Sequence, residues 1–386
     1  MAADDGAYQS ALRLLSEGRI EEARAAFRTV VAHQPEHAGA WLDLAILQCG
    51  MGMAEEAETL FGQIQERFNP PPAIQELIQQ LRSRGCQRQE YQGTFRFRFK
   101  LGRGHDSNAN QGAANPYFSL GAGIPPLELA PEFRARGDAF SQVTLDTSYI
   151  FPGYATLFHA QIQARRHDRL SDYDLATLIV GVEQPFKLGD WDSRWGANLG
   201  ATLLGNERYQ EQLGAYVQLL PPWPVLPAGW QFSLMGDWTK VRYPTLQNFD
   251  ADILKAQAVL GFRGENLQFL GNLGLTRDLA DGARPGGDKY GWTVGLALRR
   301  RLLSNLAGEL SWVRQDWRGE KDYSPGLINV RREQKTSLWR AATVLSLDPR
   351  QDLVLEYKYL DNWENISLFR YQSRQIMLNW QYSFDD

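Results

Sequence analysis

No run of eighteen apolar residues occurs in this chain of 386, which excludes a transmembrane helix. A membrane is not thereby excluded, because barrel strands cross with about ten alternating residues and average out as polar; the mean hydropathy is −0.42. Positive charge is also lacking: a net charge of −4 and a pI near 5.9 argue against nucleic acid as a partner. Cysteine is nearly absent. Cys49 and Cys86 could bond in an oxidising compartment, but the reading favours two separate small thiols. The opening MAADDGAY has neither the charged nor the apolar region of a signal peptide, so the expectation is a mature chain carrying an added initiator Met. Histidine numbers five, and the one helical spacing, His33 with His37, is interrupted by Pro35; both are read as surface residues, with no metal or other cofactor expected. Aromatics, by contrast, are plentiful. Twelve Trp, fifteen Tyr and eighteen Phe suit the interfacial girdles of a membrane barrel.

Two periodicities divide the chain. Residues 4–71 hold two copies of a 34-residue unit: Ala11 matches Ala45, Gly18 matches Gly52, Ala23 matches Ala57 and Phe27 matches Phe61, and Glu21-Glu22-Ala23 recurs as Glu55-Glu56-Ala57. That spacing resembles the tetratricopeptide repeat, a helix–turn–helix unit, with Trp41, Leu44 and Ala45 at first-helix positions. Ile74, Leu77, Ile78 and Leu81 then predict a capping helix over 73–81 after the Pro70–Pro72 break. Residues 1–88 are accordingly expected to form a periplasmic helical module. Two repeats are few for a free-standing array.

From Gly93 the period becomes two. In Phe95 to Leu101, Phe95, Phe97, Phe99 and Leu101 take one face, while Arg96, Arg98 and Lys100 take the other. About fourteen such segments follow one another: 91–102, 139–151, 154–167, 174–187, 194–205, 211–220, 230–243, 251–263, 266–277, 290–302, 305–317, 332–347, 352–361 and 369–384. Lipid-facing series include Tyr154, Phe158 and Ile162, and Leu353, Leu355, Tyr357 and Tyr359. His159, Arg165, Arg299 and Arg301 join Arg96, Arg98 and Lys100 as expected lumen residues. The predicted fold is therefore α+β multidomain, an α-helical module followed by an antiparallel transmembrane β-barrel over 89–386. Odd-numbered connections, 103–138 and 318–331 among them, are read as external loops. An even strand count puts both ends of the chain on one side. The turn Pro221 to Pro227, with Trp223, could dock a partner or simply stiffen a turn. The last strand alternates Ile376, Leu378, Trp380, Tyr382 and Phe384 with polar residues. It resembles the C-terminal signal read by the barrel-assembly machinery, which makes that machinery an expected partner beside outer-membrane lipid.

One motif remains, Gly104-His105-Asp106-Ser107-Asn108-Ala109-Asn110. Gly, Asp, Ser and Asn favour a structured turn leaving the barrel; the sharper reading makes Gly104, His105, Asp106, Ser107, Asn108 and Asn110 a client-binding or gating element. Pro125, Pro126 and Pro131 argue against further regular structure in the long connection that follows. A catalytic triad is not expected, because His105, Asp106 and Ser107 are consecutive and cannot converge on one atom; a partner such as His159 or His167 would be needed. A tetratricopeptide module joined to a fourteen-strand barrel that opens with this motif resembles the surface lipoprotein assembly modulator family. The resemblance implies passage of a periplasmic client, a surface lipoprotein or secreted binding protein, across the Gram-negative outer membrane without hydrolysis. The alternative is a polysaccharide-export porin on a tetratricopeptide scaffold, with an exported glycan as the partner.

Overall fold

The computed structural model describes residues 5–16, 19–86, 93–118, 125–151, 155–222, 226–227 and 229–385. Two compact units emerge, one of residues 1–94 with 150–156 and one of 95–149 with 157–386.

The first unit is five helices: α1 (Asp5–Ser16), α2 (Ile20–His33), α3 (Ala38–Gly50), α4 (Ala54–Phe68) and α5 (Pro72–Arg84). The matching alanine and phenylalanine positions of the repeats are the ones that disappear from solvent, while the matching Gly52, Glu55 and Glu56 stay exposed. Ala11, Ala23 and Phe27 pack with Leu44 and Leu47, and Ala45, Ala57, Phe61 and Ile64 pack with Ile78 of α5. Alanine at the helix crossings brings the backbones close, and the two phenylalanines fill the space between pairs. Asn69, at φ +44°, ends α4 in the left-handed conformation, and Pro72 opens α5 where no backbone donor is needed. Contrary to the sequence expectation, Cys49 and Cys86 form a disulfide across 37 residues. It ties the end of α3 to the residue that follows Gly85. His37 also departs from a plain surface role: its Nδ1 accepts from the Ala40 amide at 3.0 Å and caps α3, and its ring lies 4.3 Å from that of Tyr8.

The second unit is a closed barrel of fourteen antiparallel strands. They are β1 (Thr94–Asp106), β4 (Asp138–Ile150), β5 (Leu157–His167), β6 (Leu175–Leu188), β7 (Trp191–Leu204), β8 (Glu207–Leu220) and β9 (Trp230–Arg242), then β10 (Ala251–Arg263), β11 (Leu267–Ala280), β12 (Lys289–Leu303), β13 (Leu306–Ser324), β14 (Ile328–Asp348), β15 (Gln351–Glu364) and β16 (Tyr371–Asp385). Between β1 and β4, β2 (Tyr117–Phe118) and β3 (Leu127–Glu128) pair as a short ribbon. Pro131 starts a 3-10 turn to Phe133, so the connection has regular structure that its prolines argued against. Every barrel strand neighbours its sequence neighbour, and β16 closes the circle on β1 from Arg96↔Asp385 to Asp106↔Gln375.

At the end where β1 begins, the near end, connections such as 189–190, 304–305 and 349–350 are tight, 221–229 being the exception; at the far end lie 107–137, 243–250 and 281–288, beside the tight turn 205–206. Residues 318–331 are not a loop. β13 and β14 run on as a paired hairpin, Asp322↔Arg331 and Ser324↔Ile328, that turns only at 325–327. At about 3.3 Å per residue these strands exceed the nine to eleven residues a bilayer needs, so the hairpin projects beyond the membrane span. Gly18, Tyr154 and Trp223, to which the sequence reading gave roles, lie outside the described residues.

Candidate functional site

Register and alternation together assign the two faces. Leu101, Phe158, Ile162, Leu296, Leu310 and Leu355 face outward and are 43–60% exposed, an apolar exterior with no protein to cover it. Directly opposite residues share a face, so the inward rows can be followed from strand to strand. Six of these rows pair a glycine with a large or polar side chain across the ladder: His159 over Gly181, Tyr216 over Gly196, Asn198 over Gly214, Gln212 over Gly200, Asn272 over Gly295 and Asn379 over Gly102. In each pair a Cβ on the glycine would collide with the opposing side chain. The side chains therefore lie down on the wall rather than project into the bore.

Several of the inward cations, Arg194, Arg299, Arg340 and Lys358, are held in ion pairs. A cavity of about 370 Å³ is lined by Arg98, Lys100, Arg299, Arg340 and Lys358 and by Asp146, Glu309, Asp352 and Glu356. Five cations thus face four carboxylates, leaving the sector close to neutral. A ladder of alternating charge crosses β12 to β15: Arg299 donates to Glu309 at 2.8 Å, Arg340 to the other oxygen of Glu309 at 2.8 Å and to Glu356, and Lys358 lies 2.8 Å from Glu356. Arg299, Glu309 and Arg340 also line a second cavity of about 670 Å³, with Gln231, Gln268 and Ser311. The ladder therefore contributes to the lining of both cavities, the second of which also carries Trp230, Phe262 and Phe269. Amides fill much of the remaining wall, including Gln142, Gln161, Gln163 and Gln381. Glu183 bonds Arg194 at 2.8 Å and receives the Tyr216 hydroxyl, a second network on β6 to β8.

The other expected lumen residues have distinct settings. Arg165 lies over the buried ring of Phe140, 4.0 Å from its centroid, and donates to Gln142 at 2.9 Å. Arg96 stands opposite Asp385 on β1, and Arg301 is exposed at the near end beside a register shift. Sequence reasoning missed Arg340, Asp146 and Asp352, which line the cavity shared by Arg98 and Lys100; alternation of Arg340 with the outward Trp339 and Ala341, and of Asp352 with Leu353, is the signal that finds two of them.

The Gly104 to Asn110 motif belongs to the barrel seam. β1 extends through Asp106, so Gly104, His105 and Asp106 are strand residues, not loop residues. His105 is exposed on the outward face. Gly104 leaves no room for a Cβ beside the Ile376 carbonyl and the Phe140 ring. Asp106, 4% exposed, accepts from Ser373 Oγ at 2.6 Å, from Gln375 Nε2 at 2.7 Å and from the Asn108 amide at 2.8 Å. The Ser107 amide donates to the Arg374 carbonyl while its Oγ accepts from the Arg374 amide. Asn108 donates to the carbonyls of Gly112 and Gln372, both at 2.9 Å, and Asn110 to those of Glu132 and Arg134. These polar groups stitch β1 to β16 and to the folded connection. Asp106 and Asn108 are buried with these bonds made, whereas Ser107 is exposed. In the C-terminal strand, Ile376, Leu378 and Trp380 face outward, and Tyr382 and Phe384 pair with Phe99 and Phe97. Among the described residues no cluster of His, Cys, Asp and Glu could hold a metal.

An apolar exterior, a polar interior and full closure by fourteen antiparallel strands define an outer-membrane-type β-barrel, here preceded by five helices. Residues 14–81 match the tetratricopeptide repeat family model. No curated protein matches the sequence. Among solved structures, the chain is similar to the outer membrane channel DcaP of Acinetobacter baumannii, with 11% identity, 76% of this chain and 98% of that one covered, and a TM-score of 0.45. It is also similar to a Pseudomonas aeruginosa FadL homologue (9% identity, 76% and 90% covered, TM-score 0.40) and to an anion-selective porin from Comamonas acidovorans (10%, 76% and 99%, 0.38). These likenesses assign neither a substrate nor a mode of transport.

Proposed function

We propose that the chain is an outer-membrane translocator whose helical module, on the periplasmic side, captures a protein client and delivers it to the barrel for passage to the surface. The observation that carries this is the union in one chain of tetratricopeptide-type helices with a closed barrel whose bore is polar. Stacked helical repeats present concave surfaces suited to protein segments, which a diffusive porin has no use for. Tight near-end turns and longer far-end connections favour the usual orientation, with both chain ends in the periplasm. The resemblance to surface lipoprotein assembly modulators supports a lipoprotein or secreted binding protein as client. The seam residues Asp106, Ser107 and Asn108 act as a lock on the barrel, not as client contacts.

The second reading, export of a glycan, draws support from the amide-lined, nearly neutral lumen, since amides and alternating charges suit uncharged hydroxylated chains. Deletion of residues 1–85 tests the first reading, with surface lipoproteins read by protease shaving and barrel assembly read by heat-modifiable mobility. Loss of surface proteins from cells with an assembled barrel is expected. Unchanged protein export together with loss of surface glycan would overturn it in favour of the second.

A further inference from the structure

The outward wall of β14 to β16 changes character as it rises toward the far end. Alternation puts Trp339, Ser337 and Lys335 on the outer face of β14, Tyr359, Asp361 and Trp363 on that of β15, and Ile376, Arg374 and Gln372 on that of β16. The lower part is apolar: Trp339 and Ile376 are 54% and 53% exposed. One to two outward steps higher it is cationic. Lys335 Nζ lies 5.0 Å and the Arg370 guanidinium 5.2 Å from the centroid of Trp363, while Arg374 lies 5.9 Å from that of Tyr359.

Several neighbouring cations on the outer surface are neutralised locally. Arg314 is bound to Asp316 at 2.7 Å, Arg103 to Asp168, and Arg318 lies 3.8 Å from Glu333. Lys335, Arg370 and Arg374 make no ion pair among the described residues. The one carboxylate between the two rings, Asp361, accepts a hydrogen bond from Gln372. Three cations gathered on aromatic rings above a lipid-facing belt sit where lipid headgroups begin. A cation stacked on a ring keeps its N–H groups available for a second partner and is already ordered, so less entropy is lost when that partner arrives.

We propose that this wall binds the phosphates of a phosphorylated glycolipid of the outer leaflet, Trp363 and Tyr359 packing against its sugar and acyl surface. Charge-assisted contacts from Lys335, Arg370 and Arg374 would fix the headgroup, as such pairs do for phosphate generally. The inference rests on the orientation given above, in which the far end is outside; binding of lipid to the purified chain is read without regard to orientation, so the two can fail separately.

The test is native mass spectrometry of the full detergent-solubilised chain titrated with diphosphoryl lipid A, dephosphorylated lipid A and phosphatidylglycerol. The expected result is preferential retention of the diphosphoryl form, with affinity reduced about tenfold or more in the K335Q/R370Q/R374Q variant. The charge-preserving K335R/R370K/R374K variant should retain most of it, and heat-modifiable mobility shows that each variant has folded. Equal binding by the glutamine variant, equal binding of the dephosphorylated lipid, or equal binding of phosphatidylglycerol would each overturn the proposal.

Discussion

Breaking the Cys49–Cys86 bond should cost the helical module a large part of its stability while leaving the barrel untouched. The bond closes 37 residues, and the loop-entropy relation for a loop of that size gives about 4 kcal/mol. A unit of this length has roughly 4–12 kcal/mol in total at typical stability per residue, and two repeats with one capping helix fall toward the lower end of what an array can hold. For a domain of this size, 4 kcal/mol corresponds to a fall in Tm of about 15–30 °C. The experiment is a thermal melt of the full chain followed by far-ultraviolet helical ellipticity, with and without reductant, and repeated on a C49A/C86A variant. No cysteine lies in the barrel, so any reductant effect belongs to this one bond. A fall of only one or two degrees would refute the reasoning, and would mean that burial of Ile78 among Ala45, Ala57 and Phe61 suffices to hold α5 in place.

Three further outcomes follow from the geometry. Burial and the 2.6 Å hydrogen bond to Asp43 push the Tyr8 phenol up to about 12, so its contribution is complete below pH 10 and is lost as pH rises from there toward about 12; Tyr8→Phe should melt earlier at neutral pH and lose this alkaline step. Arg340→Met leaves Glu309 and Glu356 without the cation that joins them, at a cost of about 1–3 kcal/mol, and should shift the reversal potential of single barrels in a salt gradient toward cation selectivity. An unmoved potential would mean that ions do not pass the ladder. Asn108→Ala removes the bonds to Gly112 and Gln372 from a side chain only 2% exposed, at about 2–4 kcal/mol, and should speed deuterium exchange across residues 109–136 while leaving β7 to β12 unchanged.

All fourteen strands were legible because lipid outside and water inside impose the same contrast on every one. Legibility ended where that contrast ends. Above the hydrocarbon layer both faces of β13 and β14 carry polar residues, so Arg314, Asp316, Arg318 and Lys335 stand outward, and the paired hairpin reads as a polar loop over 318–331. The same loss of contrast hid the continuation of β1 through Gly104, His105 and Asp106. The disulfide was illegible for another reason: Cys49 and Cys86 lie on elements separated by α4, and only the packing of α5 brings them together. Several lumen cations could be read from the sequence, but the ion pairs could not, because Arg340 meets Glu309 and Glu356 through strand register.

The seam contacts carry a consequence for the order of assembly. Asp106 meets Ser373 and Gln375 across 267 and 269 positions of sequence, and Asn108 meets Gln372 across 264. Hairpins between neighbouring strands can form as soon as each pair is present, whereas these bonds must wait until the fourteenth strand has arrived beside the first. They act as a kinetic latch. Weakening them would prolong the lifetime of a curved sheet with two unpaired edges, the species most prone to join the wrong neighbour, before it altered the finished barrel at all.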